Sequence, residues 1–159
     1  MDVRFVNPFI TSTVNALKIM AGLEVTRGTP FMKGSFQALA DVSGIIGLAG
    51  QATGAVVLSF PFKLAGKIYE AMTGDTVKDG DPGITDVVGE IANMVAGGTK
   101  ASLAEMGMDF RISVPSVVVG PKHSIANKSD APCLIIPFEL GGEAFWVQVS
   151  LKHTPNNGD

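Results

Sequence analysis

Residues 84–106, ITDVVGEIANMVAGGTKASLAEM, constrain the fold of this chain more than any other stretch. They predict one long helix, starting at Ile84 or Thr85 and running to Met106, with Gly107 placed to cap its C-terminus. At about 100° per residue, Asp86, Glu90, Asn93 and Gly97 fall within an arc of roughly 60°. Ile84, Val87, Val88, Ile91, Met94 and Val95 cover the other side, so the helix has a broad buried face and a narrow polar stripe. A solvated face would carry several long Lys and Glu side chains at salt-bridge spacing. Here Asn93 and the pair Gly97-Gly98 stand mid-helix, each costing from a few tenths to about 1 kcal/mol relative to alanine. A cost without a local structural return marks the stripe as a candidate site.

The rest of the chain must pack against that helix. Its 159 residues suit one domain with a substantial core, and 46% apolar against 17% charged residues describes a compact globular protein. A net charge of −3 and a pI near 5.3 argue against a nucleic-acid binder, which would show a basic footprint. No run of 18 apolar residues is present, so the sequence predicts no membrane-spanning helix. The opening MDVRFVNPF has no apolar run before a small-residue cleavage site. Cys133 is the single cysteine and sits in the apolar run Cys133-Leu134-Ile135-Ile136. It reads as a buried structural thiol in a reduced, cytoplasmic protein. Residues 153–159, HTPNNGD, read as a flexible tail, which leaves 1–152 as one domain.

In chain order, Asn7 is the expected N-cap and Pro8 the first residue of a helix that ends at Ala21, with Gly22 as its C-cap. Leu23 to Phe31 reads as a strand broken near Gly28 and Pro30, and residues 32–40 are ambiguous. Asp41–Ala49 and Gly54–Phe60 read as a hairpin turning at residues 50–53. A second helix follows from Phe62 to Met72, then a turn-rich loop, DTVKDGDPG, from Asp75 to Gly83. After the long helix, Phe110–Val119 reads as a strand interrupted by Pro115, and Gly120–Asp130 as a loop. Ala131–Leu140 and Glu143–Lys152 form a hairpin around Gly141-Gly142, the second strand alternating so that Phe145, Val147, Val149 and Leu151 share a buried face. The fold class is α+β, with long helices packed on one antiparallel sheet. A faint internal repeat is visible, with helix, strand and hairpin recurring in each half. In that frame Ser12, Asn15 and Ile19 occupy the positions of Glu90, Asn93 and Gly97, and the first copy lacks the carboxylate.

Familiar catalytic constellations are absent from the sequence. His123 and His153, the two histidines, read as loop and tail residues, which disfavours a histidine triad or a His-rich zinc site. No GxxxxGK[ST] phosphate loop occurs, and Gly44, Gly47 and Gly50 do not precede a helix. Asp79 and Asp81 in DGDPG begin like a calcium loop but lack the later bidentate glutamate in register, and read as a turn. Asp86 and Glu90 lie one turn apart on one helix, a poor arrangement for the two facing carboxylates of a glycosidase. What Glu90 and Asn93 can do is narrower. An amide can hold and aim a water, which is sufficient help for a phosphoryl transfer dominated by positioning and charge. A carboxylate one turn away can pair with a lysine of a partner protein. Neither residue binds phosphate well, so cationic stabilisation must come from elsewhere.

The pattern Asp86-x3-Glu90-x2-Asn93-x3-Gly97, followed by Pro115, resembles the signature of the CheC/CheX/FliY phosphatase family of bacterial chemotaxis. The opening FVNPFITSTVNALKIMAGLEV resembles the start of a CheX-type chain, and one complete motif copy fits that type better than the two-site CheC form. The resemblance spans roughly residues 4 to 152. It implies a CheC-like fold, a homodimer formed through sheet edges, and a hydrolase acting on the aspartyl phosphate of a CheY-type response regulator. It further implies that Asn93 orients the attacking water and that Glu90 pairs with the regulator's lysine. Asp86 and Gly97 would contact the partner, and the Mg²⁺ would be the regulator's, this chain needing no cofactor of its own. The alternative is a non-catalytic module that only docks a response regulator. The intact Glu90/Asn93 pair favours the enzyme, since a docking module would tolerate its loss.

Overall fold

The computed structural model describes residues 3–33, 40–126 and 131–154. The chain runs α1 (Val3–Ala21), β1 (Thr26–Arg27), β2 (Phe31–Met32), β3 (Ala40–Gly50), β4 (Ala52–Phe60), α2 (Phe62–Thr73), α3 (Pro82–Glu105), β5 (Phe110–Ile112), β6 (Ser116–His123), β7 (Cys133–Leu140) and β8 (Glu143–His153). The strands form one antiparallel sheet in the order β1-β7-β8-β4-β3-β5, with β2 also on β7 and β6 also on β3. The helices cover one sheet face, as the α+β reading requires. Among the described residues no helix is long and apolar enough to cross a membrane.

The core follows the period-2 pattern of the strands. Val42, Ile46 and Leu48 of β3, Val56, Leu58 and Phe60 of β4 and Val147 and Val149 of β8 are buried under Phe9 and Leu17 of α1, Leu64 and Ile68 of α2, and Val88, Ile91 and Val95 of α3. Phe145 stacks between Phe60 and Phe138, with ring centroids 4.9 Å and 5.1 Å away. The β7–β8 turn falls on Gly141-Gly142 with φ of +57° and +82°, the left-handed pair that a two-residue hairpin demands.

Several boundaries differ from the sequence reading. Helix α1 begins at Val3, so Asn7 and Pro8 lie inside it and Asn7 is no cap. Proline forfeits one helical hydrogen bond there, but Val6 and Phe9 are buried and Phe5 meets Phe110 edge-to-face at 6.2 Å. Packing of this aromatic turn outweighs the missing donor. The broken strand after Gly22 is two short strands on β7; residues 34–39, within the ambiguous stretch, lie outside those described.

Strand β6 continues through Gly120-Pro121 to His123, where a loop was expected. The pairing with β3 shifts register between Ala40 and Val42, and Lys122 takes φ +52° at the bulge. The Asp41 carboxylate holds it, accepting from the Lys122 N–H at 2.9 Å and from the Phe62 N–H that opens α2 at 2.8 Å. His123 is therefore not a free loop histidine. Its Nδ1 lies 2.7 Å from the Gly120 carbonyl, which can only accept, and its Nε2 lies 2.7 Å from the buried Ser43 hydroxyl. Strand β8 reaches His153, whose Nδ1 lies 2.9 Å from the Gln51 carbonyl.

Candidate functional site

Helix α3 is seated by its neighbours before it presents anything to solvent. Asp81, read from sequence as a turn residue, is its N-cap: the carboxylate accepts from the Gly83 N–H at 2.8 Å and Pro82 opens the first turn. At the other end Gly107 donates to Ala104 and Met108 to Leu103, which closes off the last carbonyls. Gly44 of β3 lets the helix lie close on the sheet, since a Cβ there would stand 3.0 Å from that of Ala92. On the other flank Ser12 of α1 packs over Gly98, and the Thr99 hydroxyl donates to the Pro8 carbonyl at 3.4 Å. Ile84, Val87, Val88, Ile91, Ala92, Val95, Ala96, Thr99 and Leu103 are buried.

Asp86, Glu90, Asn93 and Gly97 are all exposed, as the periodicity predicts. The first three line an open groove of about 750 Å³ together with Thr85, Gly89, Val114, Pro115 and Val117. The facing wall comes from the break between β5 and β6. Both strands pair with β3, and at the break Ser113 takes over: its N–H donates to the Gly47 carbonyl at 2.9 Å and its hydroxyl accepts from the Gly47 N–H at 2.8 Å. Ser113 thus anchors the link from which Val114 and Pro115 line the groove. Proline, with no N–H, cannot continue the ladder.

The groove carries two carboxylates and one carboxamide, and among the described residues neither lysine nor arginine lines it. Among the described residues no group of three or more His, Cys, Asp and Glu is arranged to hold a metal ion. Asp86 and Glu90 alone make a thin donor set for a hard divalent cation, which takes six or more oxygens. The arrangement can accept hydrogen bonds and pair with an incoming cation.

Gly97 does not line this groove and sits one turn farther along the stripe. A Cβ at 97 would meet nothing within 4 Å, so the chain's own packing does not require glycine there. Thr85, Gly89, Val114 and Val117 were not singled out in the sequence. Val114 had no periodic signal because it falls in the strand break, and Gly89 was masked by the other helix glycines. In the first helix Ser12 is buried toward α3, whereas Asn15 and Ile19 are exposed. The α1 residue in the Glu90 register therefore turns toward Gly98 of α3 and brings no carboxylate.

The family described as "Chemotaxis phosphatase CheX" matches residues 42–139, which contain Asp86, Glu90, Asn93, Gly97 and Pro115. The chain is 29% identical over 154 residues to the CheY-P phosphatase CheX of Thermotoga maritima, covering 96% of this chain and 98% of that protein. The crystal structure of a CheC-like superfamily protein from Shewanella sp. PV-4 superposes with a TM-score of 0.91 at 38% identity, over 96% of this chain and 99% of that one. A CheX–CheY–BeF3–Mg²⁺ complex from Borrelia burgdorferi contains a chain that superposes with a TM-score of 0.79 at 26% identity, over 94% and 98%.

Proposed function

This chain belongs to the chemotaxis phosphatase CheX family, and from that premise we propose that it hydrolyses the aspartyl phosphate of a CheY-type response regulator. The observation that carries the reading is the pairing of exposed Glu90 and Asn93 in one groove beside Pro115, with no Lys or Arg among the described residues that line it. Such a groove suits an anionic substrate only if the partner brings the positive charge. A receiver domain holding its phosphate with a lysine and Mg²⁺ does so.

In the proposed reaction α3 docks at the mouth of the regulator's active site. The Asn93 carboxamide oxygen accepts a hydrogen bond from a water and points its lone pair at phosphorus, in line with the aspartyl oxygen. The water oxygen bonds to phosphorus as the bond to the aspartyl oxygen breaks, yielding inorganic phosphate and a free aspartate carboxylate; the water's proton leaves on the phosphate or to solvent. Glu90 pairs with the regulator's lysine and fixes the two active surfaces in register. Positioning of this kind is worth several kcal/mol of barrier. Asp86 adds negative charge at the edge of the contact, and the bare backbone at Gly97 admits the partner closely. The metal is the partner's, and this chain supplies no cofactor.

The charge role of Glu90 is tested with Glu90→Ala. Removing one member of a desolvated charge pair costs about 2–5 kcal/mol, so kcat/KM for the phosphorylated regulator is expected to fall at least about thirtyfold. Glu90 is exposed, so the fold should be unaffected. Activity within twofold of wild type would remove Glu90 from the mechanism. Self-association through a sheet edge belongs to the same reading. Light scattering at micromolar concentration is expected to give a particle of twice the 16.5 kDa chain mass, and a monomer would exclude it.

A further inference from the structure

Three exposed apolar side chains from three elements border the polar stripe of α3. Ile19 on α1 is 73% exposed, Met94 on α3 37%, and Val114 on the β5–β6 link 86%. Ile19 and Met94 line a second, smaller groove of about 220 Å³ between α1 and α3, together with Asn15 and Gly98. Val114 lines the groove of Glu90 and Asn93. Met94 follows Asn93 directly, about 100° farther round α3, so a partner that wraps the helix from Asn93 reaches the second groove. We propose that Ile19, Met94 and Val114 are the apolar docking rim on which the receiver domain of the phosphorylated regulator seats, with Ile19 the residue that sets partner affinity. This rests on the phosphatase reading above.

The charge of the face selects its occupant. Asp86 and Glu90 stand inside the rim with no Lys or Arg among the described residues lining the groove. A second copy docked by the same face would set carboxylates against carboxylates, and an anionic lipid surface would be repelled in the same way. A receiver domain whose mouth carries a lysine and Mg²⁺ meets that centre with opposite charge, and the rim excludes water around it. The α1 positions that the repeat frame pairs with Glu90 and Gly97 fit the same rim. Ser12, in the Glu90 register, is turned into the α1–α3 contact, and Ile19, in the Gly97 register, projects where α3 has bare backbone.

The test measures binding of wild type, Ile19→Ser, Ile19→Leu and Asn93→Ala to a CheY-type regulator from the same cell loaded with Mg²⁺ and BeF3⁻. In parallel it measures KM and kcat for the acetyl-phosphate-phosphorylated form. Ile19→Ser is expected to raise Kd and KM about tenfold, the cost of losing one buried aliphatic side chain, with kcat within twofold. Ile19→Leu is expected to restore both constants, whereas Asn93→Ala loses kcat and keeps Kd. If Ile19→Ser binds and turns over like wild type while Asn93→Ala is inactive, the rim is wrong and the phosphatase reading stands. If Ile19→Ser binds weakly but wild type leaves the decay unchanged, the rim stands and the phosphatase reading falls. No binding by wild type overturns both.

Discussion

Asn93→Ala is expected to lower kcat for the phosphorylated regulator at least about 100-fold, the scale set by losing alignment of a reacting water, while the affinity for the Mg²⁺/BeF3⁻-loaded regulator stays within about threefold. The separation follows from where Asn93 stands. Its side chain is exposed in the groove and helps bury nothing, so truncation removes the amide that holds the water and little contact area. Alanine is also the better helix former, and the fold should gain a few tenths of a kcal/mol. A more stable, binding-competent and inactive variant is difficult to explain by anything except a role in the chemical step. Equal losses in binding and turnover would make Asn93 a docking residue.

The second large effect concerns the fold and leaves the site alone. Phe145→Ala is expected to destabilise the protein by about 3–5 kcal/mol, because the ring is fully buried and stacked on Phe60 and Phe138 at 4.9 Å and 5.1 Å. Against a typical total of about 5–15 kcal/mol this removes roughly a fifth or more of the stability, and the melting midpoint should drop by roughly 10 °C. Phe145 lines neither groove beside α3, so the folded fraction should retain wild-type kcat. A loss below about 1 kcal/mol in urea unfolding would mean that the core closes over the missing ring, contrary to the packing described.

The parts of this structure legible in the sequence are those where one local rule dominates. The α3 stripe could be read because Asn and Gly in mid-helix have no ordinary reason to be there, and Glu90 and Asn93 emerged exposed at their expected positions. The β7–β8 hairpin could be read because Gly141-Gly142 is flanked by strict alternation. The parts that could not be read depend on contacts distant in sequence. Pro8 looked like a helix start, and only the packing of Phe5 on Phe110 shows that the helix begins earlier. Gly120-Pro121 looked like a loop, and only the Asp41 carboxylate at the bulge explains how the strand carries through. His123 meets Ser43 across 80 residues of chain, beyond any local pattern. For the site itself, spacing alone gave no reason to bring Pro115 to Asn93. The family resemblance named Pro115 only as part of its signature, and the groove has both residues in its lining.

The most direct test of the central claim is the decay of a phosphorylated, Mg²⁺-bound CheY-type regulator from the same cell, followed after adding this protein at one-tenth the regulator's concentration. The account predicts that decay accelerates and runs to completion, each molecule turning over many regulators, with phosphate released in equal amount. Decay at the spontaneous rate, with the two proteins still forming a complex, would contradict it and leave a docking module in the phosphatase's place.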